Sequence, residues 1–447
     1  MILRLLQSAW QPFANQLCAR RDVESAGLVL AERIAGGAVL QARHLVPVPD
    51  EAYLVRRVDQ LRLDPVALNR LVRPARDTGL SIFTVHTHPG TMTPWFSHAD
   101  DVGDTRLMPA FLAQMPGPHG SIVLAGDSTE PAARAWTDEG GPRGMALRIV
   151  GDVLRVIPAA PESMHEDWFD RQRLALGPEG QTILRDLHVV IVGLGGTGSV
   201  VLVQLAHLGV GRITLIDGDR VESTNLSRII GATRHDVGVA YKVDMAARYV
   251  GALGLGTVVT AIRRPLGDLE TVQATEAADL VFSCVDTQTP RALLNRLAYR
   301  RAVPVIDLGS AFRVDHSGRV DAGAGRVVLI GPGRPCLACW GHLDPARLRT
   351  EALSDEERAV LALEGYVRGA DLAQPSVVAF NTQIAGAAVV EMLRLVTQFA
   401  GADDAPQRLA FDFLTGTTRR NVIARNAQCT ICAGAAPDAP APTGSTA

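Results

Sequence analysis

Between Val189 and Ser227 the chain alternates short apolar runs with glycine-rich or acidic breaks. VVIV at 189–192 is short and β-branched and reads as a buried strand. GLGGTGS follows at once, and ITLIDGD then supplies a second strand ending in Asp217 and Asp219. A strand, a glycine-rich turn opening a helix, and a second strand with an acidic end are the first half of a dinucleotide-binding unit. Gly193, Gly195, Gly196 and Gly198 let the backbone approach a phosphate, and the helix N-terminus offers N–H groups and positive dipole. Asp217 is placed to accept ribose hydroxyls. The pattern by itself says only "nucleotide".

Upstream, ESAGLVLAER and AVLQARHLVPV read as a strand pair, Pro65 to Thr78 as an amphipathic helix, and SIFTVHTHPG as a strand running into a loop. SIVLAG and ARAWTD read as later strands. RVIPAAPESMHED is proline-rich, small and polar, as a linker is. DWFDRQRLALGPEGQTILRDLH is a helix and turn leading into the central strand, and Val377 to about Phe399 is an apolar helix. The last residues, GAAPDAPAPTGSTA, predict disorder. The expected fold class is α/β with domains at 1–155 and 166–432, a linker at 156–165 and a disordered tail at 433–447.

Composition narrows this picture. With 447 residues, 47% hydrophobic, the chain can bury two cores, and a net charge of -3 argues against a nucleic-acid or anionic-membrane surface. No long charge-free apolar run is present, and MILRLLQSAWQPF is too interrupted for a signal peptide, so a cytoplasmic protein is expected. Of six cysteines, four form two C-x-x-C pairs, Cys336/Cys339 and Cys429/Cys432, which in a reducing compartment point to zinc. Among 44 basic residues there is a single lysine, Lys242. Mutational bias toward arginine explains the scarcity; the exception marks a position where a compact ammonium is needed and a guanidinium does not serve.

In HTHPGTMTPWFSHADD, His86 and His88 face one way from an extended chain and Asp100 follows a turn. Two imidazoles and a carboxylate would leave a fourth zinc position for a water that the metal acidifies. With the glutamate of VESAGLVLAER upstream, then H-x-H-P and S-x-x-D, the run resembles the JAMM (Mov34/MPN/JAB-like) metallo-isopeptidase motif. That resemblance implies a mixed α/β domain in which His86, His88 and Asp100 hold a catalytic zinc, Glu24 is the general base and Ser97 stabilises the oxyanion. The His88–Ser97 interval is one residue longer than the commonest family spacing. The extra residue is assigned to the Gly90 to Phe96 loop, which keeps Asp100 as ligand with Asp101 as the alternative.

From about residue 166 to 432 the chain resembles the ThiF/MoeB and ubiquitin-activating-enzyme superfamily, a Rossmann-like fold with a mostly parallel sheet. GLGGTGS matches its nucleotide loop, Asp217 and Asp219 its acidic strand end, and Asn225 and Arg228 its N-L-x-R motif. Lys242 matches its phosphate-binding lysine and Asp286 its magnesium aspartate. Arg171 matches an arginine that family dimers lend to the partner subunit's ATP. The four paired cysteines match its structural zinc site. The resemblance thus implies ATP, Mg2+ and Zn2+, a homodimer, and attack of a carboxylate on the α-phosphate of ATP, with Arg228, Lys242 and Arg171 stabilising the charge.

Many family members carry an acyl-accepting cysteine in the loop that is LEGYVRGADLAQPS here, and none occurs from Gly341 to Gln428. Cys284 lies in an apolar strand and Cys18 in the first domain, settings that raise a thiol's pKa. The expected protein is therefore a bifunctional enzyme. One domain adenylates the C-terminal carboxylate of a ubiquitin-like protein and passes it on without an internal cysteine, the expected partners including a conjugating enzyme. The other hydrolyses a peptide or isopeptide bond at the same terminus. Activation of a sulfur carrier for cofactor biosynthesis, or an adaptor with one dead domain, is the alternative.

Overall fold

The strand Ala26–Ile34 is apolar on both faces, and this decides the layering of the first half of the chain. Leu28 and Leu30 enter one core, Val29 and Ala31 the other, as expected of a central strand covered on both sides. The computed structural model describes residues 1–159, 167–354, 356–357, 375–401 and 407–433. It divides into two compact units, Met1–Ser163 and Met164–Ala435.

The first unit runs β1 (Ile2–Leu6), α1 (Gln7–Cys18), β2 (Ala26–Ile34), β3 (Val39–Pro47), β4 (Tyr53–Arg56), β5 (Leu61–Leu63), α2 (Pro65–Thr78), β6 (Ser81–His88), α3 (His98–Leu112), β7 (His119–Ala125), β8 (Pro131–Thr137), β9 (Gly140–Val150) and β10 (Leu154–Ile157). Its main sheet has the order β1-β3-β2-β6-β7-β8-β9-β10, and β1 also pairs with β9. The long β9 makes this possible: its first half lies along β8 and its second along β1 and β10. Trp10, Phe13 and Leu17 of α1 fill one core, and Val72, Ala75, Met108 and Phe111 of α2 and α3 fill the other.

Two expectations change here. The N-terminal stretch, read only as unsuited to export, is β1 and α1. The first unit also continues past residue 155, because Arg155, Val156 and Ile157 pair antiparallel with β9 and Val156 is buried. The proposed linker therefore starts later; its residues 160–165, residue 166 after it and the tail from 434 onward lie outside the described residues.

The second unit contains α4 (Asp170–Asp186), β11 (His188–Val192), α5 (Gly196–His207), β12 (Arg212–Ile216), α6 (Lys242–Leu253), β13 (Val258–Ile262), α7 (Leu269–Ala277), β14 (Leu280–Ser283), α8 (Gln288–Arg300), β15 (Val305–Val314), β16 (Val320–Ile330), α9 (Pro345–Glu351), α10 (Val378–Thr397), β17 (Arg408–Asp412) and β18 (Thr417–Asn421). The sheet order is β13-β12-β11-β14-β15-β16-β17-β18. From β13 to β15 the pairing is parallel, and from β15 to β18 antiparallel. The expectation of a mostly parallel sheet thus holds for the nucleotide-binding half only. β11 lies between β12 and β14, where the winding reverses, so the crevice at its carboxyl end is the natural ligand site.

Candidate functional site

Close packing explains three of the four glycines after β11, Gly193, Gly196 and Gly198; a Cβ on Gly195 would meet nothing within 4 Å. Gly193 has φ +90° and its α-carbon faces the Cys284 carbonyl, which a Cβ would meet at 2.7 Å. A Cβ on Gly198 would stand 1.9 Å from the Gly193 carbonyl oxygen, and one on Gly196 2.2 Å from Asn381 Nδ2. The loop is therefore folded tightly over the start of α5, whose first N–H groups face the crevice.

Asp217 Oδ2 accepts from the Leu194 N–H (2.7 Å) and Oδ1 from the Asp219 N–H (2.8 Å). Burial pushes this carboxyl up, and Lys242 and the two N–H groups offset only part of that. Asp217 ties the glycine loop to the end of β12, a structural task beyond the expected ribose contact. Lys242 opens α6 and its Nζ meets Asp219 Oδ2 at 2.7 Å. Asn225 is buried and its Oδ1 accepts from the Glu222 N–H (3.2 Å), closing the turn that carries Arg228. Arg228 donates to the Thr224 carbonyl (2.9 Å), and its Cδ lies 3.4 Å from where a Cβ on Gly196 would be. The guanidinium stem thus crosses the glycine loop.

Asp286 is exposed in the turn between β14 and α8. That turn is fixed from behind: Arg291 donates to the Val285 carbonyl and, through Nε, to the fully buried Asp307 (3.0 Å), which also takes Ser283 Oγ (2.8 Å) and Arg326 Nη2 (3.3 Å). Arg171 is exposed on the first turn of α4. Cys284 follows β14 directly, and burial followed by the nearby Asp307 pushes its thiol up to about 12; burial pushes Cys18 up to about 11. Both stay protonated at neutral pH. The LEGYVRGADLAQPS loop falls largely outside the described residues. Sequence reading missed Asn381, whose buried amide caps the loop from α10 and bonds Ser376 Oγ (3.1 Å). Its only signal is an amide within an apolar helical run.

Cys336, Cys339, Cys429 and Cys432 come together, with Sγ–Sγ separations of 3.8, 3.6 and 3.5 Å across three of their pairs. Tetrahedral zinc at a Zn–S distance of about 2.3 Å requires sulfurs roughly 3.8 Å apart, so the donor set fits that ion. Cys336 and Cys432 are buried against Tyr299 and Leu337, which closes the site to substrate.

In the first unit, alternation along β6 puts Ile82, Thr84, His86 and His88 on the face covered by α2 and α3. Ser97 caps α3: its Oγ accepts from the Asp100 N–H (3.2 Å), and its own N–H and hydroxyl donate to Asp100 Oδ2 (2.6 and 2.8 Å). This sets Asp100 against His86 Nε2 (3.0 Å) and His88 Nε2 (3.4 Å), the two Nε2 atoms being 3.2 Å apart. Burial raises the Asp100 carboxyl, but the two histidines and the Ser97 N–H outweigh it and hold it well below the usual range. Glu24 is buried beside the three, and burial pushes its carboxyl up. All three donors lie within 4.8 Å of one another, compact enough for one ion. Asp101 is turned away to Arg134 (2.5 Å), leaving Asp100 as the carboxylate of the cluster. The Ser97 hydroxyl, expected at an oxyanion, is engaged by Asp100. Trp95 stands edge-on to His88, centroids 5.2 Å apart.

Comparison with known proteins bears on the second unit. Residues 169–431 match the model of the ThiF family. Adenylyltransferase and sulfurtransferase uba4 of Aspergillus clavatus is 34% identical over 164 residues, 37% of this chain and 33% of that one. The chain thus spans about a third of the length of that relative. Molybdopterin-synthase adenylyltransferase of Escherichia coli is 28% identical over 255 residues, 57% of this chain and 90% of that one. SAMP-activating enzyme E1 of Haloferax volcanii is 29% identical over 164 residues, 37% of this chain and 57% of that one. Among the described residues no helix is long and apolar enough to cross a membrane.

Proposed function

The chain belongs to the ThiF family, and on that premise we propose that its second unit adenylates the C-terminal carboxylate of a small ubiquitin-like or sulfur-carrier protein. The observation that carries this reading is Arg228, whose side chain lies against Gly196 of the glycine loop, a cation beside the phosphate-binding turn that hydride transfer would not require. The names of the relatives, an adenylyltransferase for molybdopterin synthase and a SAMP-activating enzyme, support a protein carboxylate as substrate.

ATP with Mg2+ supplies the electrophilic α-phosphate and the pyrophosphate leaving group. Gly193 to Gly198 admit the phosphates to the N-terminus of α5. Arg228 and Lys242 neutralise charge as it develops, Asp219 and Asp286 are the carboxylates suited to the metal, and Arg171 acts across a homodimer. Asn225 and Asp217 hold the loops in place. Cys336, Cys339, Cys429 and Cys432 hold a structural zinc. With Cys284 and Cys18 protonated, the activated acyl group leaves directly to a nucleophile outside the chain, such as a conjugating enzyme's thiol or a sulfur donor.

The His86–His88–Asp100 cluster favours a second activity in the first unit, zinc-dependent hydrolysis of a peptide or isopeptide bond at the same terminus. Zinc there would supply an acidified water. Glu24, whose burial favours proton uptake, is the base beside it, and Ser97 orients Asp100.

ATP–pyrophosphate exchange with candidate ubiquitin-like proteins tests the first activity. Exchange that needs a partner and is lost in Lys242→Ala and Asp286→Ala supports adenylation; its absence for every partner, in folded and zinc-loaded protein, refutes it.

A further inference from the structure

His86 and His88 sit on β6 in the middle of a sheet, but Asp100 reaches them from α3, after the loop 89–96. The Ser97 capping box is internal to α3 and does not tie the helix to the sheet. Among the described residues the hydrogen bonds that anchor the loop to the rest of the unit lie at its near end, where Asp127 N–H donates to the Thr91 carbonyl (3.1 Å) and Ser128 Oγ to that of Met92 (2.7 Å). Something else must hold the first turn of α3 at the distance the histidines need.

We propose that Arg134 is the positioning residue for Asp100, clamping the start of α3 from both sides of its cap; this rests on the metal-site reading of the first unit. Arg134 projects from β8, opposite Ser121 of β7, and is 7% exposed. Before the cap, its guanidinium carbon stacks 3.9 Å from the centre of the Phe96 ring. After the cap, Nη1 meets Asp101 Oδ1 at 2.5 Å, and Nη2 and Nε meet Asp104 Oδ2 at 2.7 and 3.0 Å. Ser121 Oγ completes the set, donating to Asp104 Oδ2 (2.6 Å). One planar fork thus grips residues 96, 101 and 104, which bracket Asp100, and joins them to β7 and β8, the next two strands of the sheet after β6. Stacking and two-sided donation together need a guanidinium, which lysine cannot replace.

The chain as a whole contains its own control, because the four-cysteine cluster of the second unit holds zinc independently of α3. Zinc affinity at each site is measured in the full chain by competition with a chromophoric chelator. Wild type should hold two zincs and His86→Ala one. Asp101→Ala removes only the exposed arm of the clamp; Arg134→Met with Asp104→Asn removes both buried charges together, so neither leaves a buried ion unpaired. Arg134→Lys keeps the charge. We expect the zinc lost in His86→Ala to bind about 10- to 100-fold more weakly in the double variant and in Arg134→Lys. The effect in Asp101→Ala should be smaller, and the cysteine-held zinc should be unchanged throughout. Because the cysteine-held zinc does not report on the first unit's own fold, the thermal transition of each variant is measured beside it; a weakened first zinc that comes with a lost transition is unfolding and refutes the positioning role for that variant. If wild type holds two zincs, His86→Ala loses one, and the Arg134 variants bind both as tightly as wild type, the positioning role is refuted while the metal site stands. If wild type holds one zinc and His86→Ala changes nothing, the metal-site reading fails and the clamp with it.

Discussion

Lys242 Nζ lies 2.7 Å from Asp219 Oδ2, so the one ammonium of the chain is paired with a carboxylate whose side chain is 71% exposed, while its own is 13% exposed. The pair is half in solvent and easily exchanged for a phosphate. A guanidinium at 242 would keep the charge but spread it over a plane too broad for the first turn of α6. Lys242→Arg should therefore lower ATP–pyrophosphate exchange about 100- to 1,000-fold, the scale seen when one stabilising donor is lost, with the melting temperature unchanged.

Two glycines two residues apart, Gly196 and Gly198, respond differently to the same added methyl. In Gly198→Ala the new Cβ collides with a backbone oxygen of Gly193, which cannot move without opening the loop; about 3 kcal/mol of stability should be lost. In Gly196→Ala the collision is with the amide of Asn381. Adding Asn381→Ala should restore much of the loss at 196 and none at 198, as read from urea midpoints.

Glu351, at the end of α9, takes the backbone N–H groups of Gln288 (2.8 and 3.0 Å) and Thr289 (2.7 Å) and the Thr289 hydroxyl (2.7 Å), thereby capping α8. Burial raises its carboxyl, but these donors outweigh it and the net shift is downward. A depressed folded-state pKa gives stability that is present above the unfolded value, about 4.3, and is lost as pH falls through the folded one. Glu351→Gln should cost about 1 kcal/mol at pH 7, the scale of a helix cap. Urea midpoints of the two proteins should converge as the pH drops below about 4.

The thiols of Cys284 and Cys18, pushed up to about 12 and about 11, should resist iodoacetamide at pH 7.5 in the folded protein. Cys284→Ala should leave exchange within about twofold, the change in a buried small side chain being modest. A thioester trapped on this chain and absent from Cys284→Ala would overturn direct transfer.

Legibility varied with how local each signal is. The glycine loop could be read because strand, turn and helix are adjacent in the chain, and the H-x-H pair because period-two alternation puts both rings on one face. S-x-x-D was readable in two ways, as an oxyanion group or as a capping box, and the fold uses it as a cap. Asn381 and Arg134 left no comparable mark. Each acts on a segment far from it in sequence, and Arg134 is one guanidinium among many. The antiparallel strands β16 to β18 were also missed: β16 opens on an exposed, glycine-containing run before its short buried VVLI, and β18, TTRRN, is polar and largely exposed.

The closure of the first sheet has a consequence for how the chain is made. Leu3 of β1 lies beside Leu147 of β9, so during synthesis β1 must wait for nearly the whole unit to emerge before it gains this partner. Its other neighbour, Leu40 of β3, arrives much sooner. A nascent chain stopped short of β9 would hold β1 on one side only, with an open apolar edge of the kind that recruits other chains. Contacts this distant in sequence also slow folding. The pace of synthesis through the region encoding residues 131–150 therefore sets how long that edge of β1 stays open.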